Sequence, residues 1–199
     1  MKTENSVLMS QARESLKGKW GIAIGGFVIY VVFTIALQEI PKVGSLLGFL
    51  VSGSLALGIS MFSLTISRNQ EIKLKKIFEG FNEFGNALGA RFFITLFTIL
   101  WSLLLIIPGI IAALSYSMTY FIMADDSSIG PLDAIRKSKQ MMSGYKWKLF
   151  TLYLRFLGWA ILCILTFGIG FLWLTPYMGV TGAKFYDDLR NNSAPAVVS

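Results

Sequence analysis

Only three charged side chains, Glu39, Lys42 and Arg155, interrupt four long apolar stretches at residues 20–41, 43–67, 92–124 and 149–183. Such runs need a solvent that is itself apolar. A bilayer core of roughly 30 Å asks for about 20 apolar residues per helix, and every backbone N–H and C=O inside it must be paired within a helix or a closed barrel. Barrel strands alternate apolar and polar residues, and these runs do not. The fold class is therefore all-α, a polytopic helical membrane protein. The composition agrees, with 54% hydrophobic and 15% charged residues against about 25% charged in soluble domains.

The residues that are missing exclude much chemistry. The chain has no histidine, and its single cysteine, Cys163, lies inside an apolar run. An intramolecular disulfide, a cysteine-rich metal site and the usual Ser-His, Cys-His and metal-His constellations cannot be assembled. No catalytic, cofactor-binding or metal-binding residue is assigned, and no cofactor is implied. The net charge of +7 is spread over the membrane flanks, which the positive-inside rule already requires, so the expected partner is the lipid bilayer and its anionic headgroups rather than nucleic acid.

Topology follows from lysine and arginine. Segment 1–19 holds Lys2, Arg13, Lys17 and Lys19; segment 68–91 holds Arg68, Lys73, Lys75, Lys76 and Arg91; segment 125–148 holds Arg136, Lys137, Lys139, Lys146 and Lys148. All three are expected to face the cytoplasm. Nineteen residues precede Trp20 and no small-x-small cleavage pattern ends the first run, so residues 20–40 are expected to stay as a membrane helix rather than act as a signal. The chain then turns at Pro41-Lys42-Val43-Gly44 and returns.

The stretch 92–124 has basic flanks on both sides. As one helix of 33 residues it would measure about 50 Å, well beyond the hydrocarbon thickness. A break at Pro108-Gly109 resolves this into helices 92–107 and 110–124, each of about 24 Å and short for a full crossing. Gly168-Ile169-Gly170 divides the last stretch likewise into 149–167 and 171–186, with Pro176 as a further helix breaker. The expectation is six transmembrane or partly re-entrant helices as three hairpins (20–67, 92–124 and 149–186) in one membrane domain over residues 1–190. A flexible tail follows at 191–199, and both termini are cytoplasmic.

Each hairpin follows a basic amphipathic segment, at about 3–19, 71–90 and 130–144. In the second, Ile77, Phe81, Phe84 and Leu88 share one helical face. In the third, Gly130-Pro131 fits an N-cap and first helical position, Asp133 suits the helix dipole and Gly144 fits the stop. Lys75, Lys76, Arg136, Lys137 and Lys139 are the candidate lipid-surface cations. The units form a repeat of about 60 residues: Gly109, Tyr116 and Asp126 each precede Gly170, Tyr177 and Asp187 by 61 positions.

Ionisable groups inside a membrane are functional candidates by default. Arg155 lies seven residues past Lys148; it either snorkels to the cytoplasmic surface or pairs with Asp126, Asp187 or Asp188. Glu39 beside Lys42 reads as an outer-surface pair. Gly21, Gly25, Gly26, Gly44, Gly48 and Gly53 are read as helix-packing positions.

Three sets of residues carry a family resemblance. They are Ile107-Pro108-Gly109-Ile110-Ile111 with Tyr116-Ser117-Met118; Ala134-Ile135-Arg136-Lys137-Ser138 with Met142-Ser143-Gly144-Tyr145-Lys146-Trp147-Lys148; and Thr175-Pro176-Tyr177-Met178 with Phe185-Tyr186-Asp187-Asp188-Leu189. Together they resemble the bacterial integral-membrane family numbered 975 among domains of unknown function. That resemblance implies a bacterial plasma-membrane protein and brings no catalytic residues. Three readings stand: a non-enzymatic protein acting through lipid, a membrane-protein partner or a second copy; a small transporter, channel or export-immunity factor centred on Arg155; and a lipid-modifying enzyme using Asp125, Asp126, Asp187 and Asp188.

Overall fold

A backbone in lipid has only itself as a hydrogen-bond partner, and the apolar runs accordingly become helices. The computed structural model describes residues 3–40 and 44–193. In order, the helices are α1 (Asn5–Leu16), α2 (Trp20–Gln38), α3 (Gly44–Ser67), α4 (Lys76–Glu79), α5 (Phe84–Leu104), α6 (Ile106–Tyr116), α7 (Thr119–Asp125), α8 (Pro131–Met141), α9 (Lys146–Leu165) and α10 (Phe171–Ser193). A 3-10 turn, Gly80–Glu83, joins α4 to α5. Five stretches are long and apolar enough to cross a membrane: Trp20–Leu37, Gly44–Ser67, Lys76–Leu103, Ile106–Asp125 and Lys146–Leu165. In α10 the uncharged run ends at Ala183, before Lys184. The expected turn residues Pro41, Lys42 and Val43, the Glu39–Lys42 pair, Lys2 and the tail from residue 194 lie outside the described residues.

The centre of the bundle is α3, which packs on α2, α4, α5, α7 and α10. Its small residues make this possible, because backbones can approach where side chains are missing. A Cβ on Gly58 would stand 1.8 Å from the Ile77 carbonyl oxygen, and one on Gly53 would stand 2.4 Å from that of Ala87. Two α3 serines bond back within their own helix, Ser52 donating to the Phe49 carbonyl at 2.7 Å and Ser60 to the Ala56 carbonyl at 2.8 Å. Among the other expected packing glycines, Gly26 lies against the Phe62 ring, whereas Gly21 and Gly25 face open space.

Close approach to α3 also explains residues 71–90. They form α4, the 3-10 turn and the start of α5 rather than one interfacial helix. Ile77 is fully buried and Phe84 is exposed. The burial of Ile77 over Gly58 outweighs the helical periodicity that joined it to Phe84.

The helix breaks differ in detail from the sequence expectation. The break in 92–124 falls at Leu105, whose φ of −166° and ψ of 152° are extended. Pro108 then sits in the first turn of α6, where its missing N–H costs nothing. Gly109 lets α6 fold back against Ser102 of α5. Pro176 lies inside α10 and does not end it. Gly168 and Gly170 do lie in the turn from α9 to α10. There the N–H of Phe167 donates to the Ile164 carbonyl and that of Gly168 to the Cys163 carbonyl, both at 3.0 Å, the paired closure of a Schellman cap. Phe167 takes the left-handed position of that cap, with φ of 52°. Gly170 packs on Cys163 as Gly109 packs on Ser102, each seven positions apart, so the repeat is visible in both turns.

A further break, at Ser117-Met118, had no proline or glycine to announce it. Buried Ser138 of α8 repairs it: its hydroxyl donates to the Ser115 carbonyl at 2.8 Å and accepts the Met118 N–H at 3.2 Å. Replacing Ser138 with Ala strands both groups away from water. A loss of about 2 kcal/mol is expected, read as a lower thermal midpoint in detergent and faster exchange of the Met118 amide.

Candidate functional site

Three helices end in charge at one end of the bundle. Arg68 follows the last residue of α3, Asp125 closes α7, and Lys184, Tyr186, Asp187, Asp188 and Arg190 occupy the last turns of α10. The Arg68 guanidinium donates through Nη1 to Asp125 Oδ1 at 2.7 Å, and through Nη2 and Nε to Asp187 Oδ1 at 2.7 and 3.1 Å. Asp125 Oδ2 takes Arg190 at 2.5 Å and the Tyr186 hydroxyl at 3.0 Å. Ser67 Oγ donates to Asp187 Oδ2 at 3.1 Å.

Lys184 donates to the Ser67 carbonyl, one of the helix-end acceptors that α3 leaves without a partner. Next to this, Lys148 at the start of α9 pairs with Asp188 at 2.8 Å, both largely buried. Thr3 donates to the same carboxylate. Asn5 of α1 donates to the Lys148 carbonyl at 2.8 Å. The network thus joins α1, α3, α7, α9 and α10.

The surroundings set the electrostatics. The hydrogen bond it donates to Asp125 holds the Arg68 guanidinium above its ordinary range, with burial acting against it. Burial pushes the Tyr186 phenol up, and Asp125 adds to this. Burial pulls the Lys184 ammonium down. Each carboxylate oxygen of Asp125 and Asp187 already accepts a hydrogen bond, so the arrangement holds helix ends together rather than leaving a carboxylate free to act on a substrate.

The sequence candidates divide between this network and the surface. Asp187 and Asp188 are in the network. Asp126 is exposed and turns to Ser128, which donates to it through Oγ at 2.6 Å and through its backbone N–H at 3.1 Å; these bonds hold its carboxyl below the usual range. Its neighbour Asp125 takes the inward place. Arg155 is exposed and has no ion pair among the described residues; it lines a groove with Arg13 of α1 and Lys17, which follows that helix. Arg136 pairs with Asp133 on the exposed face of α8 at 2.9 Å. Lys75, Lys137 and Lys139 are exposed, and Lys76 is half-buried.

Of the network members, Arg68 and Lys148 were read from sequence only as flanking charge. Their signal was position: each lies at the boundary of an apolar run, where a charge finds other helix ends. A family model described as a protein of unknown function, DUF975, matches residues 1–115 and 103–193. No curated protein and no solved structure matches.

Proposed function

Because the chain belongs to the DUF975 family of proteins of unknown function, we propose from its own architecture that it is a non-enzymatic, multi-pass protein of the bacterial plasma membrane, acting by association with lipid and with other membrane proteins. In this reading the first hairpin crosses the bilayer, the other two enter only its cytoplasmic half, and both termini are cytoplasmic. The molecule is then a wedge, broader on the cytoplasmic side.

The observation that carries the proposal is the character of the two turns. Leu103, Leu105, Ile106 and Ile107 in one, and Ile164, Leu165, Phe167 and Ile169 in the other, are 60–99% exposed, with no charged residue in either turn. A turn that reached the outer surface would place this apolar skin in water. The first hairpin instead ends beside exposed Glu39.

Depth supports the same reading. From exposed Arg155 to the end of α9 is about 15 Å, and α6 from Ile106 to its break at Ser117 is about 17 Å, each close to half the hydrocarbon thickness. The amphipathic helices stand at these levels: α1 lies beside Arg155 and α8 is bonded to the Ser117 break. Backbone inside lipid needs its polar groups satisfied; Thr166 helps by donating to the Cys163 carbonyl at 2.8 Å and accepting the Gly170 N–H at 3.1 Å. The pairing of the acidic side chains with cations favours a structural use over the lipid-modifying alternative.

Reconstitution into vesicles of phosphatidylethanolamine and phosphatidylglycerol tests the wedge. Smaller or tubulated vesicles with rising protein content are expected by electron microscopy. Vesicles unchanged at the highest protein content would remove lipid shaping from the proposal.

A further inference from the structure

Two cavities on the outside of α9 run into one another. The first, of about 880 Å³, lies between α1 and α9 and is lined at its polar end by Arg13, Glu14, Lys17 and Arg155. The second, of about 370 Å³, continues from it toward the α9–α10 turn between Leu162, Trp173 and Leu174, reaching Thr166 and Gly170. Both share Arg13, Trp20, Trp159 and Tyr177. The result is one groove that is cationic at one end and apolar at the other.

We propose that this groove binds one anionic glycerophospholipid of the cytoplasmic leaflet, with its phosphate between Arg13, Lys17 and Arg155 and an acyl chain along Trp159, Leu162 and Trp173. Three cations and one carboxylate leave a net charge of +2 at the polar end, and none of the three cations has an ion pair among the described residues. Arginine at such a level presents a fork that matches phosphate oxygens. From Arg155 to Thr166 the groove follows α9 for about 16 Å, the depth of one leaflet, which suits a chain that begins at a headgroup and ends near the bilayer centre. The tryptophans present flat apolar faces to such a chain. Held by this groove, a lipid would fasten α1 to α9 through its phosphate. The inference rests on the membrane placement proposed above, but the groove itself is present without it.

The test uses the full-length protein, delipidated in a neutral detergent, so its outcome does not depend on how deep the hairpins sit. Native mass spectrometry with added phosphatidylglycerol is expected to retain one lipid at least tenfold more strongly than with phosphatidylcholine. The Arg13→Gln, Lys17→Gln, Arg155→Gln variant is expected to lose that preference. Phosphatidylglycerol brominated in its acyl chain is expected to quench tryptophan fluorescence in the parent and not in the variant, and glycerol phosphate, which lacks chains, is expected not to displace it. Arg155→Gln alone, at an exposed position, supplies the measurement if the triple variant does not fold; about a threefold loss is expected. Equal retention of both lipids by the parent, an unchanged preference in the variants, or displacement by glycerol phosphate would overturn the proposal.

Discussion

Gly58→Leu is expected to prevent the bundle from closing. A Cβ at this position lies 1.8 Å from the Ile77 carbonyl oxygen and 2.7 Å from its carbonyl carbon, so the obstacle is backbone and cannot rotate away. To admit even a methyl group, α3 must move off the 76–90 segment, exposing buried Ile77 and separating Ala87 from Gly53. Overpacking of a core generally costs about 1–3 kcal/mol; a clash with main chain at the centre belongs above this, at about 4 kcal/mol or more. Gly58→Ala has the same sign, because the roughly 1 kcal/mol that alanine gains in helix propensity is smaller than the steric loss. Gly25→Ala is the control: nothing lies within 4 Å of its added Cβ, so stability is expected to hold or rise. Thermal unfolding in detergent and membrane abundance check all three.

Removing Arg68 has the second-largest expected effect. The Arg68→Leu variant leaves Asp125 and Asp187 facing each other without their shared cation, with Arg190 the remaining cation paired to Asp125 among the described residues. Breaking a fully buried pair costs about 3–5 kcal/mol. The side chains here retain 13–26% exposure, so solvent screening reduces the figure to about 2–3 kcal/mol. Adding Asp187→Asn to Arg68→Leu is expected to recover part of the loss, because one uncompensated charge is removed. Were Arg68→Leu as stable as the parent in chemical or thermal unfolding, the network would have no part in holding the helix ends.

The two sites differ in how far the sequence showed them. Membrane class was plain from the apolar runs, and α8 was readable to its ends: Gly130 precedes Pro131, and Gly144 takes a φ of 77° after the helix. Local chemistry decides such points. The break near Pro108 was foreseen but placed three residues late, because proline is tolerated in the first turn of the helix that follows a break. The break at Ser117 was hidden, since its stabilising partner Ser138 is 20 or more positions away.

That hidden break also governs the acidic pair. Starting α7 at Thr119 turns Asp125 inward and leaves Asp126 on the surface, although the 61-residue repeat had matched Asp126 with Asp187. Arg68 meets carboxylates 57 and 119 positions away, a pairing no local pattern encodes. Its legible trace was weaker: charges follow the apolar runs at Arg68, Asp125 and Asp187, and helix ends of opposite charge gather on one side. Gly58 carried no such mark, because a glycine among the small residues of α3 looks like Gly21 or Gly25 until its neighbour is known.

The central claim, that two hairpins enter without crossing, is tested most directly by thiol labelling of intact cells. In a Cys163→Ala background, cysteines placed at Ile40, Ile107 and Ile169 are exposed to a maleimide that cannot pass the membrane. Ile40→Cys, at the end of the first hairpin, is expected to label from outside, whereas Ile107→Cys and Ile169→Cys are expected to stay unlabelled until detergent is added. Labelling of positions 107 and 169 from outside, as strong as at position 40, would show full crossings and contradict the wedge.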